Sequence, residues 1–306
     1  MIEIKDVSVS FAAGHTVQAV NNVSLSIKQG QKTALIGETG SGKSVLLLAV
    51  LRLLPKNANI TGSVMYHERD LLRLSEKELQ RVRGAQIGYV PQGNGNSLNP
   101  LMTIGTQIGE PLVQHRGYSK KRAFAESIGL LKRFHIGNEE KRAKSYPHTY
   151  SGGMRQRALV AMGISAGAEL ILADEPTKGL DEQKVAQVEE ALLSLSEQAV
   201  LCVTHDINFA GAVAQYIGVM YASYLVEYAP KGVLLTNPLH PYTRDMIRAM
   251  PENGLQAETG FTPSQTKASG CLYKSRCSDC AERCDRVPPV FELEGGHKVR
   301  CWKYAD

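Results

Sequence analysis

The stretch from Lys32 to Leu54, KTALIGETGSGKSVLLLAVLRLL, constrains this chain more than any other. A short apolar strand runs straight into a glycine loop, and the loop into an apolar helix that Pro55 stops. The loop, GETGSGKS, matches G-x-x-x-x-G-K-[ST] in full, and strand, loop and helix stand in the order that a phosphate-binding loop needs. Gly37, Gly40 and Gly42 free the backbone, with Glu38, Thr39 and Ser41 between them, to wrap the β- and γ-phosphates. The helix start, through Val45, adds its positive end. Lys43 brings a point charge to the phosphates, and Ser44 a hydroxyl ligand for Mg²⁺.

The surrounding pattern alternates strands and helices. IEIKDVSVSF and NNVSLSIKQG read as half-buried strands, LILAD, AVLCVT and IGVMYASYLVEYA as further strands. Residues 94–150 read as polar helices with turns at Pro100, Gly117 and Pro147. A helix is expected from Glu182 to Gln198, with Val185, Val188, Leu192 and Leu195 on one face. Such alternation argues for an α/β core around a mostly parallel sheet. In LILADEPTKGLD, Asp174 closes a strand, the position for holding Mg²⁺ or its water, and Glu175 can polarise an attacking water. Farther along, Ser151-Gly152-Gly153 precedes a helix-like run, a second place where backbone N–H groups face an anion.

After about Thr236 the character changes to NPLHPYT, then a polar stretch from Pro251 to Gly270 that reads as loose, then a cysteine-rich segment. This puts a boundary near residue 236. Of six cysteines, Cys202 stands alone in an apolar strand and reads as a buried thiol. The other five follow C-x5-C-x2-C-x3-C-x16-C from Cys271 to Cys301. The longest apolar run, Val45 to Leu51, is far short of the roughly 20 residues of a membrane span, and the N-terminus lacks a signal-peptide pattern. A cytoplasmic chain is therefore expected, in which clustered thiols point to metal rather than disulfides. Zinc and a [4Fe–4S] cluster both suit such thiolates. Net charge is +5, which an ordinary solvated surface explains, and no Lys/Arg block resembles a nucleic-acid arm.

The succession of the phosphate loop, YVPQ, YSGGMRQR, LILADEPT, GLD and VTHD resembles the nucleotide-binding subunits of ABC transporters over residues 1–235. SLNP, Met154, NPLHPYT and the cysteine tail ending in VRCW resemble more narrowly the ATPases of oligopeptide, dipeptide and nickel importers. The resemblance implies an ABC ATPase cassette over 1–235, a P-loop core with an antiparallel β subdomain and a helical subdomain. A cysteine-rich extension would occupy 236–306. It implies ATP with Mg²⁺, Phe11 stacking on adenine, Gln92 contacting Mg²⁺ and the attacking water, and His205 touching the γ-phosphate. Asp181 would join the two sites of a dimer, and Ser151, Gly152 and Gly153 would grip the nucleotide held by the opposite subunit's phosphate loop. By the relatives' pattern, Cys271, Cys277, Cys284 and Cys301 would hold an iron–sulfur cluster, with Cys280 spare.

The implied activity is ATP hydrolysis that drives uptake of peptides, nickel or a related small cargo from the cytoplasmic face of the membrane. The implied partners are a second ABC ATPase, identical or homologous, two permease subunits and, indirectly, an extracytoplasmic binding protein, without nucleic acid. The alternative is a soluble ABC ATPase acting on nucleic acid, ribosomes or cofactor assembly. Against it, only one cassette is present, no long coiled coil separates phosphate loop from signature, and the cysteines lie after the cassette. The chain departs from the family pattern at GNGNSLNP, at Tyr150, at Lys178 and at ASY, where a glycine turn is usual.

Overall fold

Alternation in the first strands becomes an antiparallel sheet. The computed structural model describes residues 1–93, 97–254 and 269–305. In chain order come β1 (Ile2–Ala13), β2 (His15–Ile27), β3 (Lys32–Ile36), α1 (Lys43–Val50), β4 (Ala58–Tyr66) and β5 (Arg69–Asp70). Next are α2 (Glu76–Val82), β6 (Ile87–Val90), α3 (Ile104–Arg116), α4 (Lys120–Arg133), α5 (Glu139–Ala143) and α6 (Gly152–Ile164). Then follow β7 (Leu170–Asp174), α7 (Glu182–Leu193), β8 (Ala199–Val203), α8 (Ile207–Val213), β9 (Tyr216–Tyr221) and β10 (Tyr224–Pro230). The last are α9 (Lys231–Thr236), α10 (Pro241–Arg248), β11 (Phe291–Leu293) and β12 (His297–Val299). No helix among the described residues is long and apolar enough to cross a membrane. Residues 94–96 of GNGNSLNP and 255–268 of the stretch read as loose lie outside the described residues.

The first of two compact units comprises Met1–Ser26, Thr33–Leu72 and His205–Asp306. One of its sheets runs β2-β1-β4-β5, with β1 antiparallel to β4 from Ile2 opposite Tyr66 to Phe11 opposite Ala58. Its other strands lie in the order β11-β12-β10-β9-β3. β3 and β9 pair in parallel, and the remaining pairs are antiparallel. Ala34, Ile36, Ile217, Val219, Tyr221, Tyr242 and Tyr273 share one buried core, so residues beyond Thr236 pack on the strands that flank the phosphate loop. Glu227 of β10 fastens that packing. Its buried carboxylate accepts from the Leu239 N–H at 2.8 Å and the His240 N–H at 2.9 Å, and it pairs with His297 Nε2 of β12 at 2.7 Å.

The β9–β10 hairpin turns on Ala222 and Ser223, at φ 44° and 74°. The type I′ turn, one of the two-residue turns that match strand twist, needs both residues at positive φ, usually Asn or Gly. Here β2 holds the pair in place: Ser223 Oγ donates to Gln18 O at 3.1 Å, and Asn21 N donates to Ser223 O at 2.8 Å. The turn keeps its shape without the glycine that the family pattern has.

The second unit comprises Ile27–Lys32 and Arg73–Thr204. Its strands β8, β7 and β6 are parallel, and β7 and β8 are buried along their whole length. α3 packs close to α4 at Gly109, where a Cβ would come within 2.9 Å of Ala123 O. Helix starts in this unit carry caps: Ser75 and Glu78 form a capping box on α2, and Ser119 caps α4.

Two helices are shorter than their sequence suggests. α1 stops at Val50 rather than running to Pro55, because Arg52 turns left-handed at φ 51°. The Leu53 N–H donates to Leu48 O and the Arg52 N–H to Ala49 O, the two bonds of a Schellman end. α7 stops at Leu193 instead of Gln198, with Ser194 Oγ donating back to Ala191 O at 2.7 Å. Leu195, beyond the helix, is still buried, and its carbonyl accepts from Lys32 Nζ.

Candidate functional site

In the first unit the phosphate loop bends as its glycines require. Gly37, Gly40 and Gly42 sit at φ 143°, 85° and 99°. A Cβ on Gly37 would lie 2.0 Å from Met220 O, and one on Gly42 2.1 Å from Ala19 O, so neither position accepts a side chain. Gly42 ends the loop as the cap of α1, without a side-chain cap or an acidic residue in the first turn, which leaves the helix start to an anion. Lys43 is buried, and its Nζ donates to Gly37 O at 2.7 Å, Glu38 O at 2.9 Å and Ser41 Oγ at 3.3 Å. The ammonium thus stands inside the curl of the loop. Thr39 is exposed at the rim, and Ser44 and Val45 are half-buried in the first turn of α1. Phe11 lies half-buried on β1. His205 is exposed just before α8, whose cap Asp206 accepts from the Phe209 N–H at 3.0 Å.

The second unit carries the carboxylates. Asp174 ends β7 and is 4% exposed, and Glu175 follows at 8%. Glu175 is left-handed at φ 49°, and its N–H donates to Val203 O at 2.9 Å. Tyr89 on β6 has its pKa raised to about 12, by burial and then by the charge of Asp174. Burial, followed by the charges of Glu175 and Asp174, also pushes the Cys202 thiol up, so it stays neutral in the core of β8. Gln92 is half-buried after β6, and its carbonyl accepts from Ser97 Oγ at 3.3 Å.

Ser151 caps α6 by accepting from the Met154 N–H. Both Ser151 and Gly152 are exposed, and nothing lies within 4 Å of a Cβ on Gly152. Gly153 is different, since a Cβ there would meet Lys184 Cδ at 2.8 Å. Asp181 caps α7 and pairs with Lys184, whose hydrogen bonds hold the carboxyl below its usual range.

Two residues quoted in the signature but given no role from sequence connect these parts. Gln156 is 3% exposed, approaches Glu175 O with its Nε2 at 3.5 Å, and fills the space beside Gly93. Arg157 is buried, with Nη1 donating to Phe134 O and His135 O at 2.9 Å each and to Gln187 Oε1 at 2.6 Å. Their one sequence signal is a Gln and an Arg at helix positions that point inward.

Cys271, Cys277, Cys284 and Cys301 line one cavity of about 420 Å³, and Cys280 does not. Among the described residues no three His, Cys, Asp or Glu side chains are grouped to hold a metal ion. That finding supports neither zinc nor a [4Fe–4S] cluster, each of which needs several thiolates gathered at one centre.

A model of the ABC transporter family matches residues 20–178, just over half of the chain. The chain belongs to the ABC transporter family. A second model, for the C-terminal region of oligopeptide/dipeptide transporters, matches residues 226–284 of this ABC protein. The oligopeptide transport ATP-binding protein OppD of Escherichia coli is 35% identical over 313 residues, covering 99% of this chain and 93% of OppD. The dipeptide transport ATP-binding protein DppD of Bacillus subtilis is 36% identical over 315 residues, covering 99% and 94%. A solved dimeric ATP-binding cassette, MJ0796, in a post-hydrolysis state bound to ADP and Pi, matches with a TM-score of 0.69 and 29% identity. That match covers 76% of this chain and 99% of the cassette. The fold is that of an ABC ATPase cassette, and the chain is an ATP hydrolase of that family.

Proposed function

We propose that this ABC protein is the ATP-binding subunit of a peptide importer. It would sit at the cytoplasmic membrane face and pair with a second cassette beneath two permease subunits that an extracytoplasmic binding protein supplies. The observation that carries this reading is the match of residues 226–284 to a region belonging to oligopeptide and dipeptide transporters. The cassette alone would fit many cargoes. Residues 1–235 act as the cassette and 236–306 as the extension.

In this reading the exposed turn at Ser151–Gly153 serves a nucleotide held by the partner cassette's phosphate loop, which explains two anion grips of different make in one chain. Gly37–Val45 wraps the phosphates and Phe11 stacks on adenine. Ser44, Gln92 and Asp174 offer the hard oxygen donors that Mg²⁺ takes, and bound Mg²⁺ would neutralise phosphate charge. Glu175 orients the attacking water, Lys43 and the signature N–H groups hold the charge that develops on the γ-phosphate, and His205 touches the same group. Asp181 links the two sites. The groove between α3 and α4, about 480 Å³ and lined by Met102, Gly105, Gly109, Val113 and Phe124, supports permease docking on the helices that follow Gln92.

Copurification of the complex from native membranes, followed by ATPase assays with added peptide and binding protein, tests the function. Expected are two permease subunits and peptide-stimulated hydrolysis; stimulation by nickel or a metal chelate alone would replace the cargo. The cluster has its own test. Anaerobic protein should be brown with about four irons per chain. Cys271→Ser or Cys301→Ser should remove the colour and Cys280→Ser should not. Stoichiometric zinc without iron would overturn the cluster.

A further inference from the structure

The phosphate loop contains an acidic residue, whose charge has the same sign as the polyanion the loop would receive. Glu38 follows Gly37 directly, and its side chain is 39% exposed. Its charge is met from the far end of the chain. Arg276 Nη1 lies 3.2 Å from Glu38 Oε1, and the arginine side chain is only 7% exposed. Its guanidinium sits 5.3 Å from the ring centre of Tyr273 and 5.8 Å from that of Tyr221. Tyr273 is fixed in turn by donating its hydroxyl to Asp245 Oδ2 at 2.5 Å. The backbone of the same loop residue is also held, since the Glu38 N–H donates to Tyr242 Oη at 3.1 Å, and Tyr242 is 1% exposed. One loop residue is thus gripped at its side chain and its amide by two groups that follow residue 236.

We propose that Arg276 is a positioning residue for nucleotide: it neutralises Glu38 and holds the loop open for the phosphates, so the cysteine-bearing segment sets ATP affinity. The inference rests on Gly37–Ser44 being the ATP cradle. Two effects act in the same direction. Without Arg276 the negative charge of Glu38 loses the positive charge beside it, and in a partly solvated site charges act over several ångströms on incoming phosphates. The loop also loses a tether, so more of its ordering must be met on binding. Both effects weaken binding of ground state and transition state alike, which raises Kd and KM and leaves kcat in place.

The test uses the purified full chain, with MgATP affinity by calorimetry and steady-state hydrolysis in the same preparations. Arg276→Gln should weaken MgATP binding about tenfold, roughly the scale of one uncompensated nearby charge, with kcat within about twofold. Arg276→Lys should recover most of the affinity. The decisive variant is the double substitution Arg276→Gln with Glu38→Gln, which removes the carboxylate as well and should bind within about threefold of wild type. A merely structural arginine gives no such rescue. A double variant as weak as Arg276→Gln alone overturns the inference, as does unchanged affinity in Arg276→Gln or a loss confined to kcat. Lys43→Ala separates the two levels: if it still binds MgATP normally, the cradle reading fails, whatever Arg276 does.

Discussion

Glu175 combines a proposed catalytic position with a backbone that a side chain does not favour, and the two can be measured apart. At φ 49° a residue with a Cβ bears a cost of about 1–2 kcal/mol. The bond from its N–H to Val203 O, together with burial at 8% exposure, holds it there. Consider Glu175→Ala and Glu175→Gly side by side. Both delete the carboxylate and all its contacts, so those losses cancel in the comparison and only the backbone term differs. Glycine escapes the left-handed cost but gives the unfolded chain about 0.5–1 kcal/mol more freedom. The glycine variant should therefore be the more stable of the two by about 0.5–1 kcal/mol, read as a higher urea midpoint at unchanged slope. Both should still bind MgATP, yet hydrolyse it at least about a hundredfold more slowly, the usual loss when a preorganised catalytic group goes. An alanine variant as stable as the glycine variant would refute the strain argument. Near-wild-type turnover in either would refute the role of Glu175.

Ser151→Arg removes a helix cap worth about 1 kcal/mol and places a bulky cation on an exposed turn. Calorimetry should find ATP binding to the single chain intact, and light scattering should find no nucleotide-driven dimer; lost binding in the single chain would contradict the two-grip reading. Glu227→Ala strands the Leu239 and His240 N–H groups and the His297 ring in a buried site. Chemical denaturation should show a loss of about 3–5 kcal/mol, and a loss under about 1 kcal/mol would mean that the carboxylate does not fasten the segment after Thr236.

What could be read in the sequence is what neighbouring residues decide among themselves. The phosphate loop is legible because three glycines, a lysine and a serine must stand at fixed short intervals, and each of those glycines sits at positive φ. Asp174 and Glu175 are legible because the four residues before them in β7 are apolar and Asp174 closes the strand. Helix ends are less legible: nothing local in VLLLAVLRLL says that Arg52 turns left-handed, since the Schellman end competes with helix continuation on small differences. β4 is obscure for another reason. Its ANITGSVMY contains Gly62 at φ 93°, where a Cβ would sit 2.6 Å from Asp6 O, so close packing against β1 decides that residue rather than strand preference. The contact of Arg276 with Glu38 spans 238 positions, and no periodicity in either segment announces it.

The clasp of β12 on β10 also bears on how the chain is made. β10 ends at Pro230, and β12 does not begin until His297, which is 67 positions later. At ordinary synthesis rates of about 5–20 residues per second, that interval lasts roughly 3–13 s. Throughout it, the outer edge of β10 offers unpaired N–H and C=O groups to whatever strand arrives first, and Glu227 has neither the His297 ring nor its place beneath β12. A nascent chain halted between these two strands would therefore be a sticky one, and chaperone holdases should be found on it more than on chains halted after Val299.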